Sequence, residues 1–181
     1  MKVIKAKTAG FCFGVKRAVD TVYKQVDTKC GQIYTYGPII HNEEVIKDMR
    51  DKGVIVLRSE EDLDMISQGT VIIRSHGVEK RIYEKIEQKG LRIVDATCPF
   101  VKKIHNIVSE KSGEGFHIII IGNPEHPEVV GIKGWAKDNV TVIQSAEDAE
   151  CFTADRKEKI CIVSQTTFNY NKFQDLVEII M

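Results

Sequence analysis

The chain lacks any apolar run approaching the twenty or so residues a membrane-spanning helix needs, and it carries no net charge: 26 basic residues balance 26 acidic ones over 181. The first absence argues against a membrane role. The second argues against a dominant role on nucleic acid or a charged membrane surface, although local basic patches remain possible. The opening Met-Lys-Val-Ile-Lys has none of the long apolar stretch of an export signal. Proline is scarce, at four residues. No linker rich in Pro, Gly or Ser interrupts the chain, so any lobes should pack closely. The five cysteines are odd in number and widely scattered. In a chain without an export signal they read as reduced thiols or metal ligands, not a disulfide framework, and the expected compartment is the cytoplasm. No glycine fingerprint for a nicotinamide or flavin cofactor follows any predicted strand.

What the chain does have is an internal repeat. Gly37-Pro-Ile-Ile-His41-Asn-Glu43 aligns with Gly122-Asn-Pro-Glu-His126-Pro-Glu128. The copies stay in step through Val54–Leu57 and Val140–Ile143, then Ser59–Asp62 and Ser145–Asp148. Further on, Val71–His76 matches Cys161–Thr166, so His76 and Thr166 fall at equivalent strand ends. Similarity at so long a period means duplicated lobes, each with its loop at the same end of a sheet. The first copy runs on to Asp95-Ala-Thr-Cys98-Pro99, whereas the second reaches Met181 before its equivalent of Cys98. The repeat therefore predicts a further cysteine at roughly position 188 of a longer chain.

Short β-branched runs alternate with amphipathic segments, which favours parallel sheets covered on both faces. Strands are predicted at 2–5, 33–36, 54–57, 71–74, 92–95, 118–121, 140–143 and 160–164. Helical spacing marks Val15 to Val26, Ile82 to Ile86, Val101 to Val108 and Phe173 to Ile180. His41, His76, Cys98, His126 and Thr166 each lie just after a predicted strand, and Cys12 follows the first one. In such sheets ligands bind beyond the carboxyl ends of the strands, which argues for one shared site.

Cys12, in Ala9-Gly-Phe-Cys12-Phe-Gly14, precedes a helix, whose N-terminus stabilises a thiolate. Cys98 occupies a similar strand-to-helix junction, with Pro99 suited to the first helical position. The bland alternative is two small buried residues. Their separation does not resemble a zinc knuckle, whereas three thiolates, one per lobe, suit an iron–sulfur cluster with one iron open. His41, His76 and His126 can donate to phosphate oxygens, with a three-histidine metal site as the alternative and Asn42, Ser75 and Thr167 as secondary candidates. Glu128 reads either as a first-turn carboxylate facing the helix dipole or as a proton donor in a cleft. Thr166 is a turn hydroxyl or bonds a substrate oxygen. His105 and His117 read as surface or satisfied interior residues, Cys30, Cys151 and Cys161 as structural, and Lys16-Arg17 as a solvated helix face.

Taken together, Ala9–Val19, Gly37–Asn42, Arg74-Ser-His-Gly77, Asp95–Pro99, His126-Pro-Glu128 and Gln165-Thr-Thr167 closely resemble the signatures of the 4-hydroxy-3-methylbut-2-enyl diphosphate reductase family, in its order. The resemblance implies pseudo-repeated α/β lobes, each a small mostly parallel sheet flanked by helices, with a third lobe largely missing. Residues 1–13 would form a strand of that third lobe, 14–97 the first lobe and 98–181 the second. It further implies a 4Fe-4S cluster held in part by Cys12 and Cys98, and a diphosphate substrate bound by His41, His76 and His126. Thr166 would lie near the substrate hydroxyl, and Glu128 would deliver protons. Ferredoxin or flavodoxin would donate electrons. Two readings from other classes stay open: a non-catalytic metal or phosphate sensor, and a zinc-stabilised domain.

Overall fold

In the computed structural model, which describes residues 2–28, 31–155 and 157–181, two small parallel sheets stand side by side. The first lobe contains α1 (Phe13–Thr28), β1 (Ile33–Tyr36), α2 (Glu43–Asp51), β2 (Ile55–Leu57), α3 (Glu60–Asp64), β3 (Thr70–Ile73), α4 (Lys80–Gln88) and β4 (Arg92–Asp95). The second contains α5 (Pro99–Gly113), β5 (His117–Ile121), α6 (Pro127–Lys133), β6 (Val140–Ile143), α7 (Ala146–Cys151), β7 (Ile160–Ser164) and α8 (Tyr170–Ile180).

The strand orders are β2-β1-β3-β4 and β6-β5-β7, parallel throughout. The inner strands β3 and β5 are runs of branched, largely apolar residues because both of their faces are covered. In the first sheet Ile33 and Ile72 pack under α1 and α2, while Val71 and Ile73 pack under α3 and α4. In the second, Ile118 and Ile120 face α5 and α6, and Ile119 and Ile121 face α7 and α8. The repeat is visible in the hydrogen bonding as well. Gly37 N–H donates to Leu57 O at 2.7 Å, and its counterpart Gly122 N–H donates to Ile143 O at 3.0 Å. Among the described residues β4 has no counterpart in the second sheet.

One predicted strand is absent. Residues 2–5 pair with neither sheet, and Val3 and Ile4 are 80% and 78% exposed. A strand needs a neighbour to satisfy its backbone polar groups, and none of the described sheet edges supplies one. Cys12 therefore follows no strand in this structure.

The lobes meet where the β3–α4 loop abuts α6. Trp135 Nε1 donates to Val78 O at 2.9 Å, and Lys80 N–H donates to Gly134 O at 3.4 Å. The backbones come close here: a Cβ on Gly131 would lie in van der Waals contact, 3.6 Å from the Gly77 and His76 carbonyls.

Candidate functional site

Both sheets have a topological switch point. From β1 the chain crosses to β2 on one side and returns to β3 on the other, and β5, β6 and β7 do the same. The crevice between the strands that flank the switch point, β1 and β3 or β5 and β7, is where ligands bind in such sheets, beyond the carboxyl ends. His41 follows β1 and His76 follows β3, so both flank the first crevice. His126 and Glu128 follow β5, and Thr166 follows β7, so these flank the second. The two crevices open onto the seam between the lobes.

The histidines form a row across that seam. The His41 and His76 rings lie 4.9 Å apart, tilted by 48°, and His76 meets His126 of the other lobe edge-on at 5.6 Å. His41 is exposed and the other two are half-buried. The pKa of His76 is lowered from 6.5 to about 4, first by burial and then by the positive charges of His41, Arg74 and His126. Protonation of His76 is thereby disfavoured, and an anion that offsets these charges would favour it. Half-buried Arg74 adds a cation, its Nε 3.4 Å from Gly77 O.

His126 is also the N-cap of α6, where its Nδ1 accepts from Glu128 N–H at 3.1 Å. An accepting Nδ1 carries no proton, so the neutral ring must hold its proton on Nε2 as a donor. Glu128, only 1% exposed, sits below the exposed Thr166. Its Oε1 accepts from Thr166 N–H at 2.6 Å, and its Oε2 accepts from the Thr166 hydroxyl at 2.8 Å. The secondary candidates are engaged structurally. Asn42 caps α2 through Val45 N–H, the Ser75 hydroxyl donates to Ile39 O, and Thr167 accepts from the Gln165 amide.

The cysteines Cys12 and Cys98 both stand at helix N-termini: Lys16 N–H donates to Cys12 O, and Lys102 N–H to Cys98 O. Cys98 packs against the first turn of α1, which is why residue 14 is glycine. A Cβ there would lie 2.6 Å from the Cys98 sulfur. Cys12 is exposed and Cys98 half-buried, and the exposed rings of Phe11, Phe13 and Phe100 flank them. Two thiols at positive helix ends suit part of a thiolate-bound cluster. Among the described residues no three His, Cys, Asp or Glu side chains come together in a group able to hold a metal, which leaves the three-histidine alternative without geometric support.

Several local readings need correction. Arg17 is not on a solvated face: its guanidinium donates to Thr97 O at 2.9 Å and Asp95 O at 3.3 Å, fastening the loop that carries Cys98. The available signal was that Gly14, Arg17 and Ala18 share a helix face. His105 is not satisfied: it is 1% exposed, its Nε2 has no partner, and burial lowers its pKa to about 4. His117 is bonded as expected, to Glu158 at 2.9 Å and Thr141 at 2.8 Å. Cys161 packs into the second-lobe core, Cys151 is exposed at the end of α7, and Cys30 lies outside the described residues.

Comparison with known proteins follows the same lines. The family model described as LytB protein matches residues 3–181. The 4-hydroxy-3-methylbut-2-enyl diphosphate reductase of Caldanaerobacter subterraneus subsp. tengcongensis is 45% identical over 99% of this chain and 62% of its own length. The reductase of the same name from Clostridioides difficile is 42% identical over 98% of the chain and 66% of its own. Among solved structures, the E-1-hydroxy-2-methyl-but-2-enyl-4-diphosphate reductase of Plasmodium falciparum superposes with a TM-score of 0.89 at 30% identity, covering 96% of this chain and 54% of that one. A second, described as the terminal enzyme of the non-mevalonate pathway, gives 0.81 at 37% identity, covering 98% and 63%. The chain spans just under two thirds of the first of these relatives.

Proposed function

The chain belongs to the LytB family, and from that membership and the imidazole row across its lobe seam we propose that it serves the reductive dehydroxylation of 4-hydroxy-3-methylbut-2-enyl diphosphate. Two electrons and two protons remove the allylic hydroxyl as water and leave isopentenyl or dimethylallyl diphosphate. The observation that carries this reading is the approach of His76 to His126 at 5.6 Å. That approach supports the reading because nitrogen donors from two lobes would then reach one anion, with helix N-termini close by.

In this reading His41, His76 and His126 bind the diphosphate, and the Nε2 proton of His126 points to it because Nδ1 is already taken by Glu128 N–H. Thr166 faces the substrate hydroxyl. With Glu128 as a carboxylate the Thr166 hydroxyl donates to it; once Glu128 takes up a proton that hydrogen bond runs the other way, and the Thr166 hydroxyl donates to the substrate hydroxyl. Glu128 thus holds the proton that Thr166 passes on, away from bulk water. Cys12 and Cys98 would hold a 4Fe-4S cluster in part, with Arg17 and Gly14 setting the Cys98 loop against α1. When bound, the cluster supplies single electrons and a Lewis-acidic iron for the hydroxyl. A small redox protein, ferredoxin or flavodoxin, donates the electrons. The cytoplasm fits free thiols, and among the described residues no helix is long and apolar enough to cross a membrane.

The test, on the full-length protein, is anaerobic iron and sulfide analysis beside turnover of the diphosphate alcohol with a reduced donor. Formation of the two isoprenyl diphosphates, lost in Cys98→Ser, supports the proposal. Stoichiometric zinc in place of iron and sulfide, with no turnover, overturns it in favour of a zinc-stabilised domain.

A further inference from the structure

Trp135 is the chain's one tryptophan, and it sits just past α6 on the second lobe. Its indole N–H reaches across the seam to Val78 O at 2.9 Å, two residues after His76. Its ring stacks on His105 at 5.1 Å and 19°, and meets Tyr83 of α4 edge-on at 5.7 Å. At the other end of the stack the Tyr83 hydroxyl lies 3.2 Å from Thr97 Oγ1, next to Cys98. His105 in turn packs against Gly77, whose Cβ, if present, would lie 2.5 Å from the ring. The aromatic group therefore backs the His76 turn through Gly77 and Val78.

We propose that Trp135 is a positioning residue: its indole N–H grips the His76 loop from the other lobe and sets the separation of His76 from His126. The inference rests on the reading that these histidines hold a diphosphate. A rigid anion bridging two lobes gains full hydrogen bonds from both only at one spacing, because such bonds weaken steeply with distance and angle. Lys80 N–H to Gly134 O, at 3.4 Å, is a second hydrogen bond between the start of α4 and the end of α6, and it is long. The indole bond is the shorter and better fixed of the two.

The test compares Trp135→Phe, which keeps a stacking ring and removes the N–H, with Tyr83→Phe, which removes a hydroxyl from the same aromatic group. Inorganic pyrophosphate is titrated by calorimetry, and the His76 imidazole signals are recorded by NMR without ligand. Trp135→Phe is expected to shift the His76 signals and weaken pyrophosphate about fivefold to tenfold. Tyr83→Phe should leave both unchanged within twofold. If Trp135→Phe folds poorly, replacing the lone tryptophan with benzothienylalanine removes the N–H while keeping the bicyclic shape. Unmoved His76 signals in the N–H-free protein overturn the proposal, and so does equal weakening in both variants, which would make the stack ordinary core. A parent protein that binds no pyrophosphate overturns the diphosphate reading, while the His76 signals still decide the role of Trp135.

Discussion

Both carboxylate oxygens of Glu128 accept from a single residue, Thr166, one from its backbone N–H at 2.6 Å and one from its hydroxyl at 2.8 Å. The two residues lie on different strands' loops, so the pairing ties the β5 and β7 ends of the second crevice together. It also holds the threonine hydroxyl at hydrogen-bond distance from the carboxylate, so that in the proposed relay a proton taken up by Glu128 reaches the substrate through it.

Glu128→Gln tests this directly. A glutamine can still accept from Thr166 N–H through its amide oxygen, but its NH2 must donate to the hydroxyl and turn that proton outward. Pyrophosphate affinity should stay within about twofold, since no diphosphate donor is lost. Turnover should fall by about two to four orders of magnitude, the usual range for losing a positioned acid. Wild-type turnover in Glu128→Gln would reduce the carboxylate to a helix-start residue.

His126 has two separable jobs. Its Nδ1 caps α6, and in the proposed site its Nε2 donates to the diphosphate. His126→Asn keeps a good cap and loses the Nε2 donor, while His126→Ala loses both. Removing the donor should cost about 1.5–3 kcal/mol of pyrophosphate affinity in either variant. Only His126→Ala should also lose about 1 kcal/mol of stability. Calorimetry and urea unfolding on the two variants separate the effects, and equal stability in both would remove the capping argument.

Much of this arrangement is legible in the sequence because it is local or repeated. Runs such as Ile118–Ile121 declare a doubly covered strand, and the duplicated Gly-to-His loops declare two sheets that carry a histidine loop at the same end. The segment 2–5 was not legible in the same way: it has strand composition, but strandness depends on a partner that composition cannot supply. Arg17 and Trp135 escaped for a related reason. Their bonds join residues 80 and 57 positions apart, so no local spacing reveals them. His105 shows a different limit, since its place on a helix says nothing of the unpartnered nitrogen it buries.

Gly77 and Gly90 offer a matched pair for the seam. Both have positive φ, +71° and +67°, so alanine at either should cost about 1 kcal/mol of backbone strain. Around Gly90 no other atom comes within 4 Å of a Cβ, whereas at Gly77 a Cβ would meet His105 at 2.5 Å and Thr97 at 3.2 Å. Gly77→Ala should therefore destabilise by about 1–3 kcal/mol more than Gly90→Ala in urea unfolding. Equal losses would mean that His105 moves aside freely and does not back the His76 turn.

The buried histidines set an acid limit on stability. His76 and His105 each have a pKa lowered from 6.5 to about 4, in both cases chiefly by burial. Above pH 6.5 neither state is protonated, and their contribution to stability is fully present. As pH falls from about 6.5 to about 4 the unfolded chain takes up protons that the folded chain refuses, so stability is lost through that window. His105→Phe isolates one of the two, because it keeps an aromatic ring against Trp135 and Gly77 while removing the titrating group. At pH 7 it should lie within about 1.5 kcal/mol of the parent, as conservative core exchanges do. Between pH 7 and pH 5 the parent should lose about 1–2 kcal/mol more than the variant, the linkage expected for one such residue. Urea melts of both proteins at the two pH values measure it. If the two proteins lose stability in parallel, His105 takes up its proton in the folded state as readily as in the unfolded one, and its burial carries no pH penalty.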